Sequence, residues 1–439
     1  MNYIATMVRY SALIHKPMLR NLKAFADNHD VQKIYLFVMA GKNKEETQLP
    51  TYILEDERFE FVSIGKDGMK LNNNLKLFDH RILPQMVNPL TGMNLKLHRE
   101  YSYLLPSPKI RRDSLPNTSK HPRFLATTGA LSRPNYKLLT FAGVRAELEH
   151  TYGFAFVTVH NNRRFDMVQV DCQKNGNFQY LREFYRDGKM FDSQPEAVIW
   201  GDLHVGETSP KALAASLKQL EELQPKRLVL HDVFNGHSVN RHKKANNLSK
   251  AELWKNKMHV LEEEVEQCLE QLNSIANKFP DMEILVVESN HDKFLTRYIS
   301  EEYFLGDGAN SIFACKMFIT LHENKVKPTL QLALEIVGTP AANIRFLKED
   351  EELRVKGICL SEHGHNGVNG ARGSGKSYSN YNLRTISGHE HTPRLHVNGM
   401  VVGTMTHLKL NYTKGPSSWA WANGILYPSG KYALLTLIL

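Results

Sequence analysis

Five short segments hold the side chains of this chain best suited to chemistry: WGDLHVG at 200–206, HDVFNGH at 231–237, ESNHD at 288–292, SEHGH at 361–365 and GHEH at 388–391. Each sets Asp, Asn or His at the end of an apolar run that reads as a strand. Such a mixed oxygen and nitrogen donor set suits first-row divalent metals better than an all-oxygen magnesium or calcium cage does. Asp202 and His204 stand one residue apart after Ile199 and Trp200, so both can leave one strand end toward one ion. Asp232 follows the run RLVLH, and its carboxylate can bridge two ions. Two divalent cations about 3.5–4 Å apart turn water into hydroxide and clamp phosphoryl oxygens, the needs of phosphate-ester hydrolysis. A single acid–histidine pair would mean little, since such pairs are common on solvated loops. Five segments in this order are not a chance pattern.

The order of the segments resembles that of the calcineurin-like metallophosphoesterases, over residues 195–439. The resemblance implies that Asp202, His204 and His391 hold one metal, Asn290 and His389 the other, and Asp232 both. His291 would bind neither and would stabilise or protonate the transferring group. His363 follows the strand-like GICLS and is the expected ligand of the fourth segment, with His365 as its alternative. Gly388 would let the last turn approach the ions closely. Two positions depart from the family, which has Gly before the bridging Asp and before the Asn. His231 and Ser289 stand there, and either side chain would narrow the cleft or force another turn. Beyond the ligand, His237, Arg241 and His242 fit either a solvated loop or a phosphate or base contact.

GARGSGKS at 370–377 matches the phosphate-loop pattern G-x-x-x-x-G-K-S. That device needs a buried strand leading in and a helix leading out. Here HGHNGVN leads in, and the polar YSNYNLRTISG runs straight into GHEH. A flap beside the metals is expected instead, with Arg372 and Lys376 free to touch substrate phosphate. Chains of tailed phages that this sequence resembles carry a similar glycine- and arginine-containing stretch between these two histidine segments, which favours the flap. GPSSW at 415–419 reads as a tight turn capped by a core tryptophan. The four cysteines, Cys172, Cys268, Cys315 and Cys359, show no CxxC pairing and read as buried free thiols.

The elements that must position these residues alternate after residue 195: VIWGD, then PKALAASLKQLEEL, then RLVLH. A long helix is expected over 250–278, with Leu253, Met258, Leu261, Val265, Leu269, Leu272 and Ile275 as an apolar stripe for the core or for a dimer. Strand-rich sequence closes the chain. The expected fold is α/β, a four-layer α/β/β/α metallophosphoesterase sandwich over 191–439, with ligands on strand-end loops. Residues 1–190 form a basic N-terminal α+β extension, opening with a helix and strand over 17–40. That extension ends in a hairpin, GFAFVTVH and FDMVQVDC around NNRR, and the boundary falls near 190 in RDGKMFDSQPE.

Of 439 residues, 42% are hydrophobic, enough for two cored domains, and the net charge is +9. Residues 1–190 hold 28 Lys and Arg against 18 Asp and Glu, so the excess lies outside the metal motifs. Within 107–137, Lys109, Arg111, Arg112, Lys120, Arg123, Arg133 and Lys137 oppose only Asp113, and four prolines, with Pro106 just before them, favour a loop or extended arm. Such an arm suits a phosphate backbone, with Arg111 and Arg112 as expected contacts. No apolar run reaches the roughly 18 residues of a membrane span, and no secretory leader is evident. The expectation is a cytoplasmic protein (in the host cytoplasm, if a phage encodes it) that needs no membrane. Within the superfamily, the likeness leans toward SbcD-type DNA nucleases and phage proteins that degrade host DNA. The resulting expectation is a DNase or phosphodiesterase with two divalent metals, manganese first, then magnesium, iron or zinc. DNA is the expected partner, and a homo-oligomer stays open. The alternatives are a small-molecule phosphomonoesterase or nucleotidase, which needs no basic extension, and a scaffold with a relic site.

Overall fold

The computed structural model describes residues 1–439 except 10, 40–48, 63–67, 81, 84, 120, 241–245, 324–326, 381–382, 397, 411–412 and 438–439, with 376, 379 and 380 described by backbone alone. The fold is mixed α/β, and the chain divides into two compact units. The first comprises residues 1–195, 392–400 and 410–439, and the second 196–391 and 401–409. Of the C-terminal residues expected with the metal motifs, 392–400 and 410–439 group with the first unit, while 401–409 stay in the second. No helix among the described residues is long and apolar enough to cross a membrane.

In the first unit, strand Asn2–Arg9 pairs in parallel with Val31–Met39 through helix Lys16–Asn28. Pro17 sits where a helix needs no N–H, and His15 caps the helix by accepting from the Met18 amide at 3.1 Å. The helix buries Phe25 in an aromatic cluster, with Phe154, Phe156, Phe178, Tyr180 and Tyr185 ring centres 5.0–5.8 Å away. The expected hairpin forms from Gly153–Val159 and Phe165–Asp171. Its turn is tied by Asn161 Oδ1, which accepts the amides of Arg163 and Arg164 at 2.9 Å. Segment 107–137 is not a free arm. It contains the antiparallel strands Arg112–Leu115 and Arg123–Thr127, the second also paired with Ser102–Leu105. Pro116 and Pro122 lie just outside these strands, where a missing N–H does no harm. Trp419 of GPSSW is half-buried rather than a core residue.

The second unit is built on four parallel strands in the order Ile344–Leu347, Glu283–Val287, Arg227–Leu230, Ala197–Ile199. Helix Pro210–Leu223 connects the first two strands in sequence, and among the described residues helices Asp292–Ser300, Ser311–Glu323 and Thr329–Val337 lie between the last two. The single helix expected over 250–278 is two, Asn247–Lys255 and Leu261–Lys278. Lys257 takes a left-handed φ of 56°, and the Met258 amide returns to the Leu253 carbonyl at 2.9 Å, the helix-terminating arrangement described for C-caps. Asn310 then caps the second helix through the Leu261 amide at 2.7 Å. Leu253, Leu261, Val265, Leu269, Leu272 and Ile275 are all buried, so the stripe faces a core. Cys172, Cys268 and Cys359 are buried, whereas Cys315 is exposed, against expectation.

Candidate metal centre

The first two strands of the second unit end together, and their loops stay hydrogen-bonded past the strand ends. The amides of Leu203, His204 and Val205 donate to the carbonyls of His231, Asp232 and Val233 at 3.0, 2.7 and 3.0 Å. On its other side Asp202 is bracketed by Gly403 and Met405, at 3.1 and 2.8 Å. The backbone thus sets Asp202 and His204 beside Asp232. The turn 388–391 completes the group. Ligand atoms of Asp202, His204, Asp232 and His391 all lie within 4.8 Å of one another, and all four residues are buried.

Gly388 is required by space. A Cβ there would stand 2.1 Å from Asp202 Oδ1 and 3.0 Å from the His231 ring carbon Cγ. His204, Asp232, His389 and His391 adopt left-handed φ angles of 45°, 46°, 71° and 55°. Such angles cost energy in non-glycine residues and concentrate at functional sites.

A second group of donors also meets Asp232. His363 Nε2 lies 3.3 Å from Asp232 Oδ2 and 3.0 Å from Asn290 Oδ1. His389 packs edge-on to His363, with ring centres 5.2 Å apart. His365, the alternative to His363, instead approaches Glu349 at 3.7 Å. His291 points its Nδ1 at the Asn235 carbonyl, 2.6 Å away, and its ring lies edge-on to His204 at 4.7 Å.

Electrostatics fit a cation. Burial alone would raise the Asp232 carboxyl, but His363, His291 and His204 around it outweigh burial and hold it well below the usual range. Burial works against a charged His363 too, yet Asp232 outweighs it and raises the imidazole to about 9. Burial lowers His204 to about 3, keeping a neutral ring with a lone pair to offer. Oδ1 of Asp202 and Oδ1 of Asp232 are buried without a hydrogen-bond donor among the described residues. Buried carboxylate oxygens are costly unless paired or bound to metal, so these residues fit a metal ion.

The residues before Asp232 and Asn290, His231 and Ser289, are both fully buried. The His231 side chain is fully buried behind His363, with the two Nδ1 atoms 3.4 Å apart. Ser289 and Asp292 cap each other's turn. Asp292 Oδ2 accepts the Ser289 amide at 2.8 Å, and Ser289 Oγ accepts those of His291 and Asp292 at 3.2 and 3.3 Å. The S-x-x-D spacing in ESNHD was the available signal for this. Burial raises the Asp292 carboxyl to about 8.

The expected substrate contacts fare differently. His237 is buried, joined to Asn235 at 2.7 Å and Glu207 at 3.1 Å, so it is not presented to solvent as a contact. Arg111 and Arg112 are corrected as well, because both are buried. The Arg112 guanidinium lies 4.0 Å over the Phe124 ring, and burial lowers it to about 9. Lys109 reaches Glu149, and Arg123 donates to the carbonyls of His98 and Tyr101. These stems and head groups pack inward, leaving no basic face at those positions. Arg241, His242, Lys120 and the Lys376 side chain lie outside the described residues. Arg372 is exposed on a loop closed by its bridge to Asn366. A short helix, Gly375–Asn380, does follow the glycine-rich run, contrary to expectation. Its first amide, Gly375 N–H, is taken by Glu390 Oε1 at 2.8 Å, and a 3₁₀ turn rather than a strand leads in.

Fold and cluster together describe a mixed α/β protein with a buried group able to hold a metal ion. No family model matches the chain. It is 24% identical to "Protein A1" of Escherichia phage T5 over 460 residues, covering 99% of this chain and 81% of that protein.

Proposed function

We propose that this chain is a two-metal phosphodiesterase of the calcineurin-like type, a nuclease that acts on DNA in a phage-infected cell. The observation that carries the reading is the convergence of two donor groups on one carboxylate. His204, in the group that includes Asp202 and His391, and His363, joined to Asn290, both approach Asp232 Oδ2, at 3.5 and 3.3 Å. A four-layer sandwich of the metallophosphoesterase kind accommodates such strand-end ligands and is part of the same proposal. The phage relative supports the setting.

In this reading Asp202, His204, Asp232 and His391 hold the first ion, and Asp232, Asn290, His363 and His389 the second. When bound, the pair supplies a hydroxide and neutralises phosphoryl oxygens. His204 stays neutral at working pH because it is buried. His291 keeps a proton on Nδ1 for the Asn235 carbonyl, which leaves Nε2 for the reacting group; carrying a second proton there, as the imidazolium, it would donate to that group or hand the proton over. The exposed Arg372 is available to a phosphate.

One observation favours the rival reading, a phosphomonoesterase acting on small substrates. The inward-facing Arg111, Arg112, Lys109 and Arg123 take four cations away from the basic segment that would track DNA, although Arg133 and Lys137 stay exposed. A single assay separates the two: purified protein with manganese, magnesium or zinc, given supercoiled and linear DNA, a dinucleotide and mononucleotides. The nuclease reading expects metal-dependent DNA cleavage that Asp232→Asn abolishes along with bound metal. Hydrolysis of mononucleotides alone would favour the rival, and Asp232→Asn with full metal content and activity would defeat both.

A further inference from the structure

Glu264 lies in the first turn of helix Leu261–Lys278 and reaches out of it to a loop. Its Oε1 accepts the His237 amide at 2.9 Å, and its Oε2 accepts the Ser238 amide at 2.9 Å and the Ser238 hydroxyl at 2.5 Å. One turn along, Cys268 Sγ lies 3.9 Å from the Val233 carbonyl, so this helix face runs beside residues 233–238. Between those anchors Gly236 takes a φ of 75°, and an added Cβ would meet Phe294 at 3.0 Å. The same loop presents the Asn235 carbonyl to His291 Nδ1 at 2.6 Å. A carbonyl can only accept, so this contact fixes the proton on Nδ1 and the ring's orientation. Hydrogen bonds to a carboxylate are about twice as strong as neutral ones, which makes Glu264, with three donors on it, a firm hold on the loop.

We infer that Glu264 is a positioning residue for His291, acting through the 235–238 loop to set which nitrogen of that imidazole faces the reacting group. Its consequence for catalysis rests on the phosphodiesterase reading, while its consequence for the His291 ring does not.

The test uses the full chain, loaded with zinc for imidazole ¹⁵N spectra and with manganese for kinetics on a dinucleotide. In the unaltered protein His291 shows a protonated, slowly exchanging Nδ1. Glu264→Ala gives fast exchange and a mixture of ring forms, with metal content unchanged. The kcat falls about 10- to 100-fold, part of the usual contribution of a proton-transferring group, and KM does not move. In a His291→Ala background the same substitution adds nothing, as expected for residues acting as one unit. Ser238→Ala removes one of the three donors and gives a smaller effect of the same sign, so the question stays decidable should Glu264→Ala misfold. An unchanged His291 ring signal, or an equal loss with and without His291, overturns the inference. If the unaltered protein hydrolyses no phosphodiester, the functional reading falls and the ring spectrum alone judges Glu264.

Discussion

Gly388→Ala adds one methyl group to the tightest place in the candidate centre. Gly388 does not use a left-handed φ, so alanine suffers no backbone penalty and the effect is steric. The new Cβ would stand 2.1 Å from Asp202 Oδ1. A relaxed non-bonded contact needs about 3.5 Å, so carboxylate or turn must give way by about 1.4 Å. Neither has room. Asp202 is fully buried between the loops at 231–233 and 403–405, and the His231 side chain blocks the methyl at 3.0 Å on the other side. Metal–ligand distances tolerate only about 0.2 Å, so Asp202 or His391 must leave the ion's reach. Disturbing residues that merely support ligands costs about 10- to 100-fold in metal affinity, and moving a ligand should cost at least the upper end. Overpacking adds about 1–3 kcal/mol of destabilisation. Manganese titration by calorimetry and thermal melting with and without metal read both effects. Gly308→Ala, whose Cβ meets nothing within 4 Å, is the control. Wild-type manganese affinity and melting temperature in Gly388→Ala would refute the close approach of this turn to Asp202.

His291→Ala should keep its metal and lose about 100- to 10,000-fold in turnover, whereas His391→Ala should lose metal; equal metal loss in both, by elemental analysis, would make His291 a ligand. His150, in the first unit, accepts from the Tyr136 hydroxyl at 2.9 Å and donates to the Ser132 carbonyl at 3.0 Å. Burial lowers its pKa to about 4. The unfolded chain therefore takes up a proton first as pH falls below its ordinary value near 6.5, and stability present at pH 7 is lost between about 6.5 and 4. From pH 7 to 5 the loss through this group is about 2 kcal/mol, so His150→Gln should flatten the urea midpoint over that range; an equal acid slope in both proteins would count against it. Arg112→Met keeps the packing over Phe124 without a buried charge, and stability should hold or rise. DNA affinity and its salt dependence should not change, while a flatter salt slope would return Arg112 to the DNA backbone.

What could be read from the sequence, and what could not, divides along physical lines. A ligand at a strand end is announced locally, by an apolar run and the polar residue that stops it. That is why Asp202, His204, Asp232 and His363 were legible, and why the structure brings them together. His363 meets Asp232 and Asn290, whereas two residues later the chain has turned His365 toward Glu349. Charge carries no such address. Counting cations along 107–137 measures charge but not direction, and a short strand bracketed by prolines has the composition of a loop. The inward turn of Arg111 and Arg112 depends on the Phe124 ring and on acceptors far along the chain, such as Thr436. Glu264 was hidden for a related reason: among Glu262, Glu263 and Glu264 nothing local marks the one that turns to the loop, and its partner lies 27 residues away. Strand-end chemistry is written in neighbouring residues, whereas the support behind it depends on which helix face meets which loop. The substitutions at Gly388 and Glu264 probe that second kind of information directly, because each leaves every proposed ligand in place and alters only what holds it.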